Sequence, residues 1–196
     1  MREATQKCLE MIKQFEGCVL HAYKCLPTEK YYTIGYGHYG ITDQNISITE
    51  EEAENYLKLD LRNIYDALKD YDRFYNFTDY EYDALVSFCY NLGGGIMNQL
   101  TRNYSRNKVE IADAILSYNR ANGKILSGLV MRRNLEYKLF TKGIYPDGIS
   151  SEDTITESTT LGNIVDRIIA GEFGNGEERK EKLYSTIQNL VNKRYN

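Results

Sequence analysis

Between Thr5 and Glu16 the apolar residues Cys8, Leu9, Ile12 and Phe15 fall near one helical face. Gly17 follows as a stop residue that tolerates φ > 0, so the pattern predicts a helix ending at Glu16. From Ala53 the positions Leu57, Leu61, Ile64 and Leu68 repeat at three- and four-residue steps, which predicts a long helix with one buried stripe, linking two lobes. Thr49 with Glu52, and Thr78 with Glu81, fit capping boxes at the starts of apolar-periodic runs. Val109, Ala112, Ile115 and Leu116 mark a further helix, and Ser127 is placed to cap the last one. Between the first helix and the long one, Thr33-Ile34-Gly35-Tyr36-Gly37-His38 alternates and is glycine-rich, as a short hairpin sheet would be. The cleft is expected beneath that sheet, in a mostly helical α+β domain.

The periodicity stops after Phe140. Pro146, Gly148 and the polar run Ser150 to Thr160 offer few apolar side chains to bury, and read as a linker. The expected organisation is a domain over 1–145, a linker over 146–159 and a small second unit over 160–196, which a chain of 196 residues accommodates. No apolar stretch approaches the roughly 20 residues of a membrane span. The N-terminus carries Arg2, Glu3 and Lys7 without the apolar region of a secretory signal, so synthesis in the cytoplasm is expected.

A net charge of −4 and a pI near 5.4 argue against nonspecific binding to nucleic acid, and give no long-range steering toward an anionic polymer. Cys8, Cys18, Cys25 and Cys89 lack paired short spacings, His21 and His38 share no acidic cluster, and Gly93-Gly94-Gly95 lacks the Lys-Ser/Thr of a phosphate loop. No metal or cofactor is expected, and the cysteines are read as reduced by default. The 18 tyrosines can stack on sugars, although those at helical spacing, such as Tyr56 and Tyr65, read as packing residues with a wet tip.

Glu16 is the residue that carries chemistry. A glutamate near a helix end is usually a solvated surface group. At the negative end of the helix dipole and beside apolar Phe15, however, its charged form is disfavoured, which suits a general acid that must keep its proton near neutral pH. The segment Phe15-Glu16-Gly17-Cys18-Val19-Leu20-His21-Ala22-Tyr23-Lys24-Cys25, then Thr33 to His38, resembles the opening of phage-type lysozymes, glycoside hydrolase family 24. That family's signature is a Glu, eight residues, an Asp or Cys, five residues and a Thr. Glu16 and Cys25 keep the first spacing; seven residues separate Cys25 from Thr33, so Leu26 to Tyr32 reads as an enlarged turn. Tyr31 occupies the strict position, with Thr28 as a weaker rival. Asp83 to Phe88 with Asn91 to Gly95 resembles the family's central helix and glycine turn, and Gly128-Leu129-Val130 with Arg132, Arg133 and Glu136 its last helix; Gln99-Leu100-Thr101 departs from the usual Ser-Thr-Leu.

The resemblance implies a lysozyme-like fold and cleavage of the β-1,4 bond between N-acetylmuramic acid and N-acetylglucosamine. It implies Glu16 as acid, Cys25 as helper and Thr33 as the residue that hydrogen-bonds the water, with Tyr23, Tyr36, His38 and Asn91 contacting glycan. A glycosidase ordinarily flanks the bond with two carboxyls. A thiolate can orient water or stabilise positive charge, but a thiol normally loses its proton only near pH 8.5, and a buried cysteine is more often inert. Lys24 points away if the stretch is extended. Lytic transglycosylation, which needs one acid/base residue, and a noncatalytic wall-binding protein are the rivals.

In the second unit, Ile164 to Lys180 and then Leu183, Ile187, Gln188, Val191 and Asn192 resemble the Cpl-seven type of cell-wall-binding repeat. That family is a compact three-helix module recognising muropeptides. Its implied binding residues here are Gly174, Asn175, Gly176, Glu178 and Arg179, and Tyr184-Ser185-Thr186 is a shortened form of its usual Gly-Tyr-Asp loop. Fewer than 40 residues without a disulfide is near the limit of independent folding, so a helical tail docked on the first domain is the competing reading. Bacterial peptidoglycan is the expected partner at both ends, reached after release from the cell, by a monomer.

Overall fold

The computed structural model describes residues 2–121 and 123–146. Residues 147–196, hence most of the expected linker, the second unit and Gly174, Asn175, Gly176, Glu178 and Arg179, lie outside the described residues.

Helix α1 spans Gln6–Glu16, with Thr5 accepting from the Cys8 N–H at its start and Gly17 at φ 67° at its end. The polypeptide then forms a three-stranded antiparallel sheet in the order β1 (Val19–Tyr23), β2 (Tyr32–Gly35) and β3 (His38–Ile41). Helix α2, Glu50–Tyr75, starts against that sheet and runs into the helical body, where α3 (Asp79–Leu92) packs on it. Ala53, Leu57, Leu61, Ile64 and Leu68 are all buried, so the apolar stripe read from the sequence is the face α2 gives to the core. Both expected capping boxes form, Thr49 with Glu52 and Thr78 with Glu81. Gly93, at φ 84°, ends α3.

A 3-10 turn at Gly94–Ile96 leads to α4 (Met97–Leu100), α5 (Lys108–Ile115) and α6 (Ser127–Lys142). The core lies among α1, α2, α3 and α6, with Ile12, Leu61, Leu68, Leu85, Phe88, Ile111 and Leu139 fully shielded from solvent. Gly35 permits the close approach of sheet to helix, since a Cβ there would stand 3.1 Å from Ala53 Cβ.

Three local expectations change. The buried face of α5 is Ile111, Ala112 and Ile115; Val109 is 70% exposed, because it sits in the first turn about 200° around the helix from Ile111. Leu116 is the C-cap residue, not part of the helix. Ser127 is the first residue of α6, and Leu126 stands at the cap with no side-chain bond. A two-stranded hairpin, β4 (Arg120–Ala121) with β5 (Lys124–Ile125), also appears in a region read as helical; the Asn122-Gly123 dipeptide was its signal.

One buried polar cluster ties the start of the domain to its end. Asp83, 1% exposed, accepts from the Thr5 N–H at 3.1 Å, from the Thr5 hydroxyl and from the Tyr145 hydroxyl. The Thr5 hydroxyl thereby keeps a lone pair for the Cys8 N–H that it caps.

Candidate active site

Glu16 is the last residue of α1, held where the helix meets the sheet. Its Oε1 accepts from Arg132 Nη1 of α6 at 2.6 Å, and its side chain is 22% exposed. The same Arg132 guanidinium stacks 4.8 Å over the Phe15 ring.

Arg132 is itself fixed from behind. Its Nε donates to Glu136 Oε1 at 3.1 Å and its Nη2 to the Ser87 carbonyl at 3.1 Å. Glu136, fully buried, also accepts from the Ser87 hydroxyl at 2.8 Å and from Arg133 Nη2 at 3.1 Å. Arg133 Nε stands 2.8 Å from Glu136 Oε2 as an ion pair without hydrogen-bond alignment, and the guanidinium covers the Phe88 ring at 4.8 Å. Burial pushes the Glu136 carboxyl up, against the pull of both arginines, and pushes Arg133 down. Two cations and two anions, Arg132, Arg133, Glu16 and Glu136, thus form one connected set from the core to the site. In the sequence the Arg132-Arg133-x-x-Glu136 pattern carries the resemblance, and its i, i+3 and i, i+4 spacing is the signal that the three side chains meet.

In the sheet, Thr33 is the cross-strand partner of Tyr23, which puts their side chains on one face. Thr33 is 7% exposed. Tyr31 precedes β2, and its N–H donates to the Tyr39 hydroxyl at 3.3 Å. Burial pushes the Tyr23 phenol up, followed by Cys25 and then by the carboxylates of Glu16 and Glu29. Cys25 is exposed, in the turn after β1. That turn is tightly tied. The Glu29 N–H donates to the Leu26 carbonyl at 3.1 Å, Lys24 Nζ donates to the Glu29 carbonyl at 2.7 Å, and the Cys25 N–H donates to Glu29 Oε2 at 3.0 Å.

Tyr23 thus feels both Cys25 and Glu16 electrostatically, with Thr33 opposite it across the strand pair. The other three expected contact residues are engaged elsewhere in the domain. Tyr36 is buried, its phenol pushed up by burial and by neighbouring Cys18, and its carbonyl accepts from the Tyr90 hydroxyl at 2.8 Å. His38 Nδ1 lies 3.0 Å from both Asp60 oxygens and its ring stacks on Tyr56 at 4.3 Å. Asn91 Oδ1 accepts from Arg133 Nη2 at 3.1 Å. Tyr90 carried no signal in the sequence; burial, then Asp60 and Glu16, push its phenol up.

All four cysteines are free, Cys8 and Cys89 buried, Cys18 and Cys25 exposed. Among the described residues no cluster of three or more His, Cys, Asp or Glu could hold a metal ion, and no helix is long and apolar enough to cross a membrane.

A carboxylate fixed by a guanidinium where a helical body meets a small antiparallel sheet fits the lysozyme-like fold that the sequence resembles. Comparison with known proteins carries this further. The phage lysozyme family model matches residues 13–136, and the chain belongs to that family. A second family model, the CW_7 repeat, matches residues 162–194. The endolysin of Bacillus phage B103 is 41% identical over 143 residues, covering 71% of this chain and 54% of its own length. The endolysin of Lactococcus phage c2 is 37% identical over 177 residues, covering 90% of this chain and 74% of its own. The chain therefore spans about half the length of the first relative and three quarters of the second. Among solved structures, the muramidase domain of SpmX from Asticaccaulis excentricus matches with a TM-score of 0.63 and 32% identity, over 72% of this chain and 99% of that domain.

Proposed function

We propose that the chain is a peptidoglycan hydrolase that cleaves the β-1,4 bond between N-acetylmuramic acid and N-acetylglucosamine. The observation that carries the reading is Glu16, 22% exposed at the helix-sheet junction with one oxygen held by Arg132, so that the other is free to meet a glycosidic oxygen. Glu16 protonates the leaving oxygen as the C–O bond breaks. Cys25 stabilises positive charge at the anomeric carbon, Thr33 hydrogen-bonds the attacking water, and Tyr23 lies against the sugar beside them. Tyr36, His38 and Asn91 act through the walls of the cleft, since their polar groups are engaged within the domain.

Residues 1–145 form the catalytic domain in this reading, 146–159 a linker, and 160–196 a module that holds the enzyme on the wall and raises the local substrate concentration. The enzyme works as a monomer on bacterial peptidoglycan after release from the cell. The test is muropeptide release from purified peptidoglycan by the intact chain and by Glu16→Gln, with mass spectrometry of the sugar ends. Reducing ends that vanish in the variant support a Glu16-dependent muramidase. Anhydro ends would make it a transglycosylase, and no release by the folded chain on several wall types would leave a binding protein.

A further inference from the structure

The turn after β1 folds a carboxylate back onto the backbone of Cys25, the residue that stands where a second carboxyl is missing. Two-carboxyl glycosidases place the second acid across the bond from the first, either to activate water or to attack the sugar. Cys25 stands at that position, and a thiol has neither a carboxylate's charge at neutral pH nor its two acceptor oxygens. Lys24, the cation adjacent in sequence, spends its ammonium on the Glu29 carbonyl and on the Tyr32 ring, 4.8 Å away. Glu29 is different from its neighbours. Leu26, Pro27, Thr28 and Lys30 are exposed, whereas Glu29 is half-buried with its carboxylate folded back onto the Cys25 amide at 3.0 Å. The 26–29 turn and the Lys24 bond fix the backbone on both sides of it. Its charge reaches the Tyr23 hydroxyl, which also senses Cys25 and Glu16. Within this turn, position 29 folds back over position 25.

We propose that Glu29 is the second carboxylate of the reaction, the base that takes a proton from the attacking water. This rests on the hydrolase reading above and assigns the half of it that Cys25 performs poorly. The Cys25 amide holds one Glu29 oxygen, and the other accepts from water. As Glu16 gives its proton to the leaving oxygen and the glycosidic bond breaks, the water oxygen bonds to the anomeric carbon and Glu29 accepts the water proton. Glu16 finishes ionised and Glu29 protonated, and solvent restores both.

The experiment measures kcat and KM on soluble, uncrosslinked glycan strands across pH for the full chain and for Glu16→Gln, Glu29→Gln and Glu29→Ala, with melting temperatures for each. Glu29→Gln is expected to lose about 10²-fold or more in kcat at little change in KM, and to lose the low-pH limb of the profile. Sodium azide is expected to restore cleavage to Glu29→Ala and to yield a glycosyl azide, because a small anion can attack where the base is missing. Activity of Glu29→Gln within about threefold of the parent overturns the assignment, since a general base contributes far more. So does loss of activity with a lowered melting temperature and no azide product, which would make Glu29 a residue that only holds the turn. If the parent chain releases nothing, the hydrolase reading falls and this one with it; if the parent is active through Glu16 and Glu29→Gln matches it, only this one falls.

Discussion

Replacing Glu136 by Gln removes one negative charge from a place water does not reach while preserving its shape. Glu136 is 0% exposed, and so is Arg133, whose only anionic partner among the described residues it is, at 2.8 Å. Arg132 keeps Glu16. Arg133 keeps the Asn91 oxygen and the face of Phe88, neither of which carries a full negative charge. Stranding one partner of a buried pair costs about 3–5 kcal/mol. For a domain of this size each kcal/mol lowers the melting temperature by about 2–4 °C, so the expected fall is about 6–20 °C. Thermal unfolding followed by far-ultraviolet circular dichroism measures it. A companion variant keeps the reasoning open to failure: Glu136→Leu with Arg133→Leu removes the stranded cation as well, and is expected to melt above Glu136→Gln. A Glu136→Gln protein that melts within about 2 °C of the parent, less than 1 kcal/mol by the same scale, would refute the view that this carboxylate neutralises buried charge.

Three further outcomes are expected. Cys25→Asp restores the family's alternative residue and is expected to keep Glu16-dependent muropeptide release; complete loss in a folded variant would count against the role given to Cys25. Gly94→Ala would put a Cβ 2.5 Å from Ala67 Cβ, and is expected to cost about 1–3 kcal/mol in urea unfolding; an unchanged midpoint would show that the turn shifts freely. Lys13 and Lys58 hold the Glu54 carboxyl down at about 2, against an ordinary 4.5, so the ion pairs stabilise the fold above the unfolded value and are lost as pH falls from about 5 toward 2. Glu54 is partly exposed and solvent screens it, so Glu54→Gln is expected to flatten the acid limb of stability by no more than about 1 kcal/mol; an unchanged acid limb would remove these pairs from the account.

The helices were legible because their signals are local. Capping residues, a glycine stop and a stripe at helical spacing each act within one or two turns, and they located α1, α2 and α3 closely. Val109 misled for the opposite reason: an apolar residue at the right spacing is buried only if something packs on that side, and nothing in its own helix says so. The β4–β5 hairpin is two residues per strand, too short for alternation to register. The site divided along the same line. Glu16 and Cys25 lie within one segment and could be singled out there. Arg132 is 116 positions from Glu16, so the ion pair that holds the carboxylate depends on the packing of α6 and cannot be deduced from the first helix. Glu29 was hidden by register, since its carboxylate reaches Cys25 only because the enlarged turn closes on itself.

Asp83 makes the two ends of the domain depend on each other. A chain cut after Lys142 loses Tyr145, and with it one of the donors that satisfy a buried carboxylate; the group left wanting is then the one that orients Thr5 over the first turn of α1. Damage at the exit of the domain is therefore transmitted to the N-terminal end of the helix that carries Glu16 at its other end. Cutting after Pro146 leaves the clasp whole, so the shortest autonomous form of this domain is set by a tyrosine beyond its last helix, and trimming to the helix end would loosen the opposite terminus first.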